Sequence, residues 1–262
     1  MRVKLTYRFD LEFSNEVKDH RFALKITPRK TPFYRVEEFV ISLQNNIYIN
    51  NIIDGFGNVI TFGTINNYHK NFSVEISAKI DFFSEYFDFQ DNFLNEIYLF
   101  ATNLTTSNIY INEYLNFKNE LEIYNNIEKN VLLANEYIFQ NFKYESGVTD
   151  AYSSIDTILQ SKRGVCQDFA HLLIAYLRDL KIPARYVSGF VTGEGESHAW
   201  VEYFNGKIWL GVDPTHNRII KNEPYIKIAQ GRDALDTAIN KGSFVGKSKQ
   251  QLKVFTQMEL YN

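Results

Sequence analysis

From Met1 to about residue 80, apolar and polar residues alternate with a period of two, the pattern of strands that bury one face. The run Met1-Arg2-Val3-Lys4-Leu5-Thr6-Tyr7-Arg8-Phe9 opens it. Phe22, Leu24 and Ile26 alternate with Arg21, Ala23 and Lys25 until Pro28 stops the run, and Phe39, Ile41 and Leu43 repeat the period. Asp54-Gly55-Phe56-Gly57-Asn58 reads as a turn, because its glycines accept positive φ. Phe72, Val74, Ile76, Ala78 and Ile80 again share one face. Residues 1–81 are therefore predicted to form an N-terminal β-rich domain, with an antiparallel β-sandwich as the natural way to bury these faces.

The period changes after residue 81. Residues 82–117 are rich in aromatics and asparagine, and short helices are expected there. Within the second predicted domain, 82–262, the stretch 82–125 carries the weakest pattern. Ile127, Val131, Ala134, Ile138 and Phe142 fall three and four apart, the stripe of a helix that ends before Gly147. A short helix is expected over Asp156–Leu159, then a turn at Lys162-Arg163-Gly164. A longer helix runs from Cys166 to Leu180, burying Phe169, Leu172, Leu173, Tyr176, Leu177 and Leu180 before Pro183 breaks the chain. Strands follow at Ala184–Val191, His198–Phe204 and Lys207–Val212, the last two joined by the hairpin signal Asn205-Gly206. The fold class is α+β.

Composition narrows the function. A chain of 262 residues with 45% hydrophobic content can bury a substantial core. Its net charge is −3, with lysines and arginines scattered among the acids. That gives no basic stripe for nucleic acid and no obvious contact with an anionic membrane. No run is apolar enough to cross a bilayer, and the first residues lack the apolar stretch of a secretory signal. The single cysteine excludes an internal disulfide and a multi-cysteine zinc site, and the five histidines lack HExxH spacing. A free thiol fits the reducing cytoplasm, the expected location. No EF-hand spacing or dense carboxylate loop appears, so no metal, calcium included, and no organic cofactor is expected.

The lone thiol sits in Gly164-Val165-Cys166-Gln167-Asp168-Phe169-Ala170, in the first turn of its predicted helix. Unpaired amides and the positive end of the helix dipole favour a thiolate there, and the Cys166 amide can point at a developing oxyanion. His198 starts one strand of the hairpin and Asp213 ends the next. If Phe204 pairs with Lys207 across Asn205-Gly206, His198 lies opposite Asp213. The carboxylate then accepts from one ring nitrogen and leaves the other aimed at sulfur. Each residue also has a plainer reading: an inert buried thiol, a strand histidine, a turn-initiating aspartate. Trp200, two residues from His198 on the same face, reads as packing that shields an ion pair. Gln167 reads as a cap, a packing group or an oxyanion donor, and Asp168 as a helix-dipole partner. His171 points away from the cysteine as a structural residue, His216 supports the site or lies on the surface, and Glu194 and Glu196 belong to a solvated loop.

Taken together, Gly164–Ala170, Ile182-Pro183-Ala184-Arg185-Tyr186-Val187-Ser188-Gly189, Ser197-His198-Ala199-Trp200-Val201-Glu202 and Asp213-Pro214-Thr215 resemble the bacterial transglutaminase-like superfamily. Pro28-Arg29, the Asp54–Asn58 turn and His69 are similar to the β-rich N-terminal region of bacterial members, and the likeness continues to Gly231-Arg232-Asp233. The resemblance implies a papain-like core, in which a cysteine-bearing helix packs on an antiparallel sheet that carries histidine and aspartate. It implies Cys166 as nucleophile, His198 as general base and then acid, Asp213 as the orienting carboxylate, and Tyr152 as a candidate neighbour of the thiol. Family members include transglutaminases, peptidases and amidases, and some lack activity. The expected function is cysteine-dependent acyl transfer on peptide or protein amides through a thioester, in the first place hydrolytic, as a protease or amidase. A transglutaminase that passes the acyl group to an amine is the alternative, and a non-catalytic protein-binding module is another. A redox sensor would need a resolving thiol from elsewhere. Oligomeric state is left open by the sequence.

Overall fold

The computed structural model describes residues 1–44, 47–83, 95–107, 111–193, 196–221 and 223–261. The N-terminal sheet is organised by β1 (Arg2–Leu24), one strand of 23 residues. β2 (Tyr34–Leu43), β3 (Ile49–Ile53), β4 (Val59–Ile65) and β5 (His69–Phe82) follow, and the order across the sheet is β2-β5-β1-β4-β3, antiparallel throughout. Arg2–Glu12 of β1 pairs with β5, and after a register shift His20–Leu24 pairs with β4. The shift folds the sheet over itself, bringing the Phe22 ring to 4.7 Å from that of Phe72 on β5. The expected sandwich is thus two layers that share one strand. Val3, Leu5, Tyr7, Phe9, Leu11 and Phe13 alternate into its core, beside Val74, Ile76, Ala78 and Ile80 on the adjacent β5. The Asp54–Asn58 turn closes as expected, with Asp54 Oδ1 accepting from the amides of Phe56 and Asn58 and with Gly57 at φ 76°.

A 3-10 turn (Asn95–Leu99), α1 (Ile111–Asn119), α2 (Ile127–Asn141), β6 (Lys143–Tyr144), α3 (Ile155–Ser161), β7 (Arg163–Gly164) and α4 (Cys166–Asp179) come next. Of the stretch expected to hold short helices, residues 84–94 and 108–110 lie outside the described residues. α2 follows its apolar stripe, burying Val131, Ala134 and Ile138, and Asn126 caps it by accepting from the Lys129 amide. α4 lays Phe169, Leu172, Leu173, Tyr176 and Leu177 into the core of the second unit. That core is closed by an antiparallel sheet of β8 (Ala184–Val191), β9 (His198–Phe204), β10 (Trp209–Asp213), β11 (Arg218–Ile220) and β12 (Tyr225–Gly231), in the order β11-β10-β9-β8-β12.

Two features differ from the sequence expectation. Phe204 pairs with Trp209, not with Lys207. The turn takes four residues because Asn205 Oδ1 accepts from the amides of Lys207 and Ile208, while Asn205 N donates to the Ile208 carbonyl. A slip of two keeps every side chain on its face, so Asp213 still shares a face with His198 and Trp200. The second difference is at the C-terminal side. After α5 (Ala234–Thr237), β13 (Asn240–Val245) and β14 (Gln250–Tyr261) leave the second unit and pair with β1. Residues 240–261, which the sequence reading placed in the second domain, complete the first sheet. β1 would otherwise present an unpaired edge along Arg2–Phe13.

The two units share an interface that is part apolar and part ionic. Phe190, Ile226 and Ile228 join the N-terminal core, with the Phe190 ring 4.8 Å from that of Tyr7. Beside them Glu202 accepts from Arg185 Nε at 2.6 Å and from Lys227 Nζ at 2.5 Å, and the Tyr34 hydroxyl donates to the Lys227 carbonyl. Burial works against the Glu202 carboxylate, yet the two cations hold its pKa down at about 2. Burial, with Arg185 adding repulsion, lowers Lys227 to about 7 against the pull of Glu202. Removing the shared anion leaves two buried cations without its carboxylate. Glu202→Ala is therefore expected to cost about 3–5 kcal/mol of stability in urea unfolding, with Glu202→Gln costing less.

Candidate active site

α4 begins at Cys166 after an extended Val165. Asp168 Oδ2 accepts from the Val165 amide at 2.8 Å and from the Thr149 hydroxyl at 2.6 Å, which clamps the helix start to the preceding loop. Gly164 permits this contact, since a Cβ there would stand 2.7 Å from Asp168 Oδ2. Burial raises the Asp168 pKa, and these hydrogen bonds oppose the rise. The Asp168 and Phe169 amides turn to the Val165 carbonyl. The amides of Cys166 and Gln167 therefore have no acceptor within the helix. The thiol itself is partly exposed.

His198 and Asp213 are buried, 2% and 0% exposed. His198 Nε2–H donates to Asp213 Oδ2 at 2.8 Å, which leaves Nδ1 as the remaining nitrogen, and the Cys166 side chain lies near enough to the ring to raise its pKa. Burial disfavours the imidazolium, but the hydrogen bonds and charges of Asp213 and Cys166 outweigh it and raise the His198 pKa to about 10. Burial likewise opposes the Asp213 carboxylate, yet donors from His198, His216 and Tyr225 hold it well below the usual range. His216 Nδ1–H and the Tyr225 hydroxyl each reach the same Oδ2 at 2.7 Å, while Oδ1 accepts from the Thr215 amide at 2.8 Å.

Trp200 lies nearly parallel to the His198 ring, centroids 6.5 Å apart, and meets Tyr225 edge-on at 5.3 Å. It is buried and covers one side of the histidine. Tyr186, which the sequence reading did not single out, is buried near the thiol; burial, then Cys166, Asp168 and Asp233, raise its phenol far above the ordinary value. His171 accepts from the Ala234 amide through Nε2, and burial lowers its pKa to about 3, so it is a neutral structural group. Gln167 donates to the Asp150 carbonyl at 3.4 Å, tying down the loop before the helix. Tyr152 is 74% exposed, its amide donates to Asp150 Oδ1, and no described contact joins it to Cys166. Glu196 is exposed, and Glu194 lies outside the described residues.

His216 had a readable signal: a turn that begins at Asp213 returns the third residue to the same carboxylate. Tyr225 had none, because its approach depends on where β12 lies in the sheet. One ligand atom each from His198, Asp213 and His216 lies within 4.8 Å of the others, the one set among the described residues spaced to hold a metal ion. Hydrogen bonds already engage all three side chains with one another.

Known proteins resemble the chain over both of its units. The family model of the transglutaminase-like superfamily matches residues 117–214, and that of the bacterial transglutaminase-like N-terminal region matches residues 3–81. Both units of the chain thus resemble transglutaminase-like proteins. The chain is 39% identical over 140 residues to an uncharacterised protein of Mycobacterium leprae, covering 50% of each. It is 35% identical over 74 residues to a protein-glutamine gamma-glutamyltransferase of Pseudomonas aeruginosa, 23% of this chain and 11% of that protein. The chain thus spans half or less of the length of these curated relatives. Its structure matches that of a candidate cysteine protease from Cytophaga hutchinsonii with a TM-score of 0.74 and 24% identity, covering 100% of this chain and 92% of that one. At that identity the likeness is one of fold.

The raised His198 pKa has a consequence for stability. A base whose pKa is about 10 when folded and 6.5 in its ordinary state adds stability that is complete below pH 6.5 and is lost as pH climbs through 10. The stability gap between wild type and His198→Ala is therefore expected to shrink steadily between pH 6.5 and 10. Urea unfolding of both proteins at several pH values in that window checks it.

Proposed function

We propose that this chain is a cysteine-dependent enzyme that opens amide bonds of peptides or proteins through a thioester acyl-enzyme, with water as the acceptor. The observation that carries the reading is a single imidazole that donates to a buried carboxylate, Asp213, and has the Cys166 side chain beside it. In the first step Cys166 Sγ, its proton already held on His198 Nδ1, attacks the carbonyl carbon. The amides of Cys166 and Gln167 face the oxygen that gains charge. The tetrahedral species collapses as the C–N bond breaks, and His198 returns the proton to the leaving amine. Water then attacks the thioester, gives a proton to His198, and releases the acid with Cys166 and the protonated ring restored. Asp213 stays ionised throughout and fixes which nitrogen of the ring faces sulfur. A reducing compartment suits this chemistry, since Cys166 must remain a free thiol.

A second reading replaces water with a primary amine, making an isopeptide or substituted amide. The likeness to the Pseudomonas aeruginosa protein-glutamine gamma-glutamyltransferase favours it. The same histidine would deprotonate the incoming amine, so the two readings differ in what the cleft admits.

Both are tested with a peptide mixture carrying main-chain and glutamine amides, incubated with and without a primary amine and analysed by mass spectrometry. The expected results are new carboxylates and an acid-trapped acyl adduct on Cys166. Amine-linked products in excess of acid would move the assignment to the second reading. Cys166→Ala is expected to give no product, and His198→Ala to lower kcat by about a thousandfold or more. Undiminished turnover by Cys166→Ala would sink both readings. Independently of any substrate, iodoacetamide labelling of Cys166 at neutral pH is expected to slow about tenfold in His198→Ala.

A further inference from the structure

Among the described residues, β14 has one strand partner, β1, and so forms an edge of the N-terminal sheet. Two backbone contacts fix the direction of its amides. Ser14 N donates to the Lys249 carbonyl at the start of the β1–β14 ladder, and Phe82 N donates to the Met1 carbonyl at the start of the β1–β5 ladder. Antiparallel strands alternate bonded and non-bonded pairs. Even-numbered residues of β1 therefore bond to odd-numbered residues of β14, while odd-numbered ones bond to β5. Leu252, Val254, Thr256, Met258 and Leu260 turn their N–H and C=O groups to the open edge.

The same five residues lie on the apolar face of the sheet, beside Leu11, Phe9, Tyr7, Leu5 and Val3 of β1. Those β1 residues are buried, whereas Leu252 is 50% and Leu260 69% exposed. The apolar layer ends before its outermost side chains are covered.

We propose that β14 pairs with β14 of a second copy of this chain, antiparallel about a two-fold axis at Thr256, joining the two N-terminal sheets into one. In that register Leu252 lies opposite the partner's Leu260, and Val254 opposite the partner's Met258, so each apolar residue left open at the edge gains an apolar neighbour. On the other face Lys253 lies opposite the partner's Glu259 in a non-bonded pair, where side chains approach most closely. Asp10 already stands beside Lys253, and Lys4 beside Glu259. Charges then alternate across the junction: Asp10, Lys253, the partner's Glu259, the partner's Lys4. Registers centred on Phe255 or Gln257 would set both Lys253 and Glu259 opposite uncharged residues. A lysine in the middle of an edge ordinarily deters strand addition; in this register the approaching strand carries its counter-charge. Lys253 also pairs with Glu12 of its own chain at 2.8 Å, an exposed contact that the proposed junction does not require it to give up.

Sedimentation velocity of the full chain across a range of about 1–200 μM tests the proposal, which predicts a reversible monomer–dimer equilibrium. Lys253→Glu and Glu259→Lys each place like charges across both contacts, and each is expected to weaken self-association about tenfold. An equimolar mixture of the two variants restores opposite charges at both contacts and is expected to dimerise like wild type. Near-UV circular dichroism and thermal unfolding establish that the variants are folded. A wild type that stays monomeric throughout overturns the proposal. So do single variants that associate as wild type does, or a mixture that associates no better than its components.

Discussion

A carboxylate removed from solvent must be met by donors, and at Asp213 that requirement draws three parts of the second unit to one point. Oδ2 receives His198 from β9, His216 from the turn after β10, and Tyr225 from β12. Oδ1 accepts the amide of Thr215 in the turn. β12 is not a neighbour of β10 in the sheet, yet its tyrosine reaches the same oxygen. The histidine is thereby held in one orientation. Its other nitrogen is left for the Cys166 side chain that α4 supplies. Fixed donors around a charge in a low-dielectric setting need little rearrangement as the reaction proceeds, which is the property such a site requires.

One face of β9 carries three separate duties in five residues. His198 belongs to the site, Trp200 covers it, and Glu202 neutralises Arg185 and Lys227 where the two units meet. The period of two puts all three on the same side of the strand. A change in the pairing of β9 by one residue would therefore disturb the chemistry, its cover and the interface together. The motif Ser197-His198-Ala199-Trp200-Val201-Glu202 is in this sense a structural unit as much as part of the candidate site.

Features set by local pattern were legible in the sequence. β8 and β9 have the limits that alternation suggested, and α2 and α4 lie within one residue of their apolar stripes. The contact between His198 and Asp213 was anticipated from a pairing that proved two residues out, and it survived because such a shift preserves the face. What escaped notice depends on distant parts of the chain. Tyr225 and Tyr186 acquire their neighbours only once β12 and β8 lie side by side. The run Lys247-Ser248-Lys249-Gln250-Gln251 gave no reason to expect a strand, because an edge strand has one partner to satisfy and keeps many side chains in water. Asp168 looked like a simple dipole partner; its hydrogen bonds to Thr149 and Val165 show a clamp instead.

The pairing of β1 with β14 also orders events in time. Arg2 lies beside Tyr261, so β1 is synthesised long before one of its neighbours. Until residues 250–261 leave the ribosome, one edge of β1 stays open while β5 and α4 are already available. Contacts this far apart in sequence form slowly, because the intervening loop must close before they contribute. The edge of β1 that β14 covers is thus open for as long as the intervening residues take to be made.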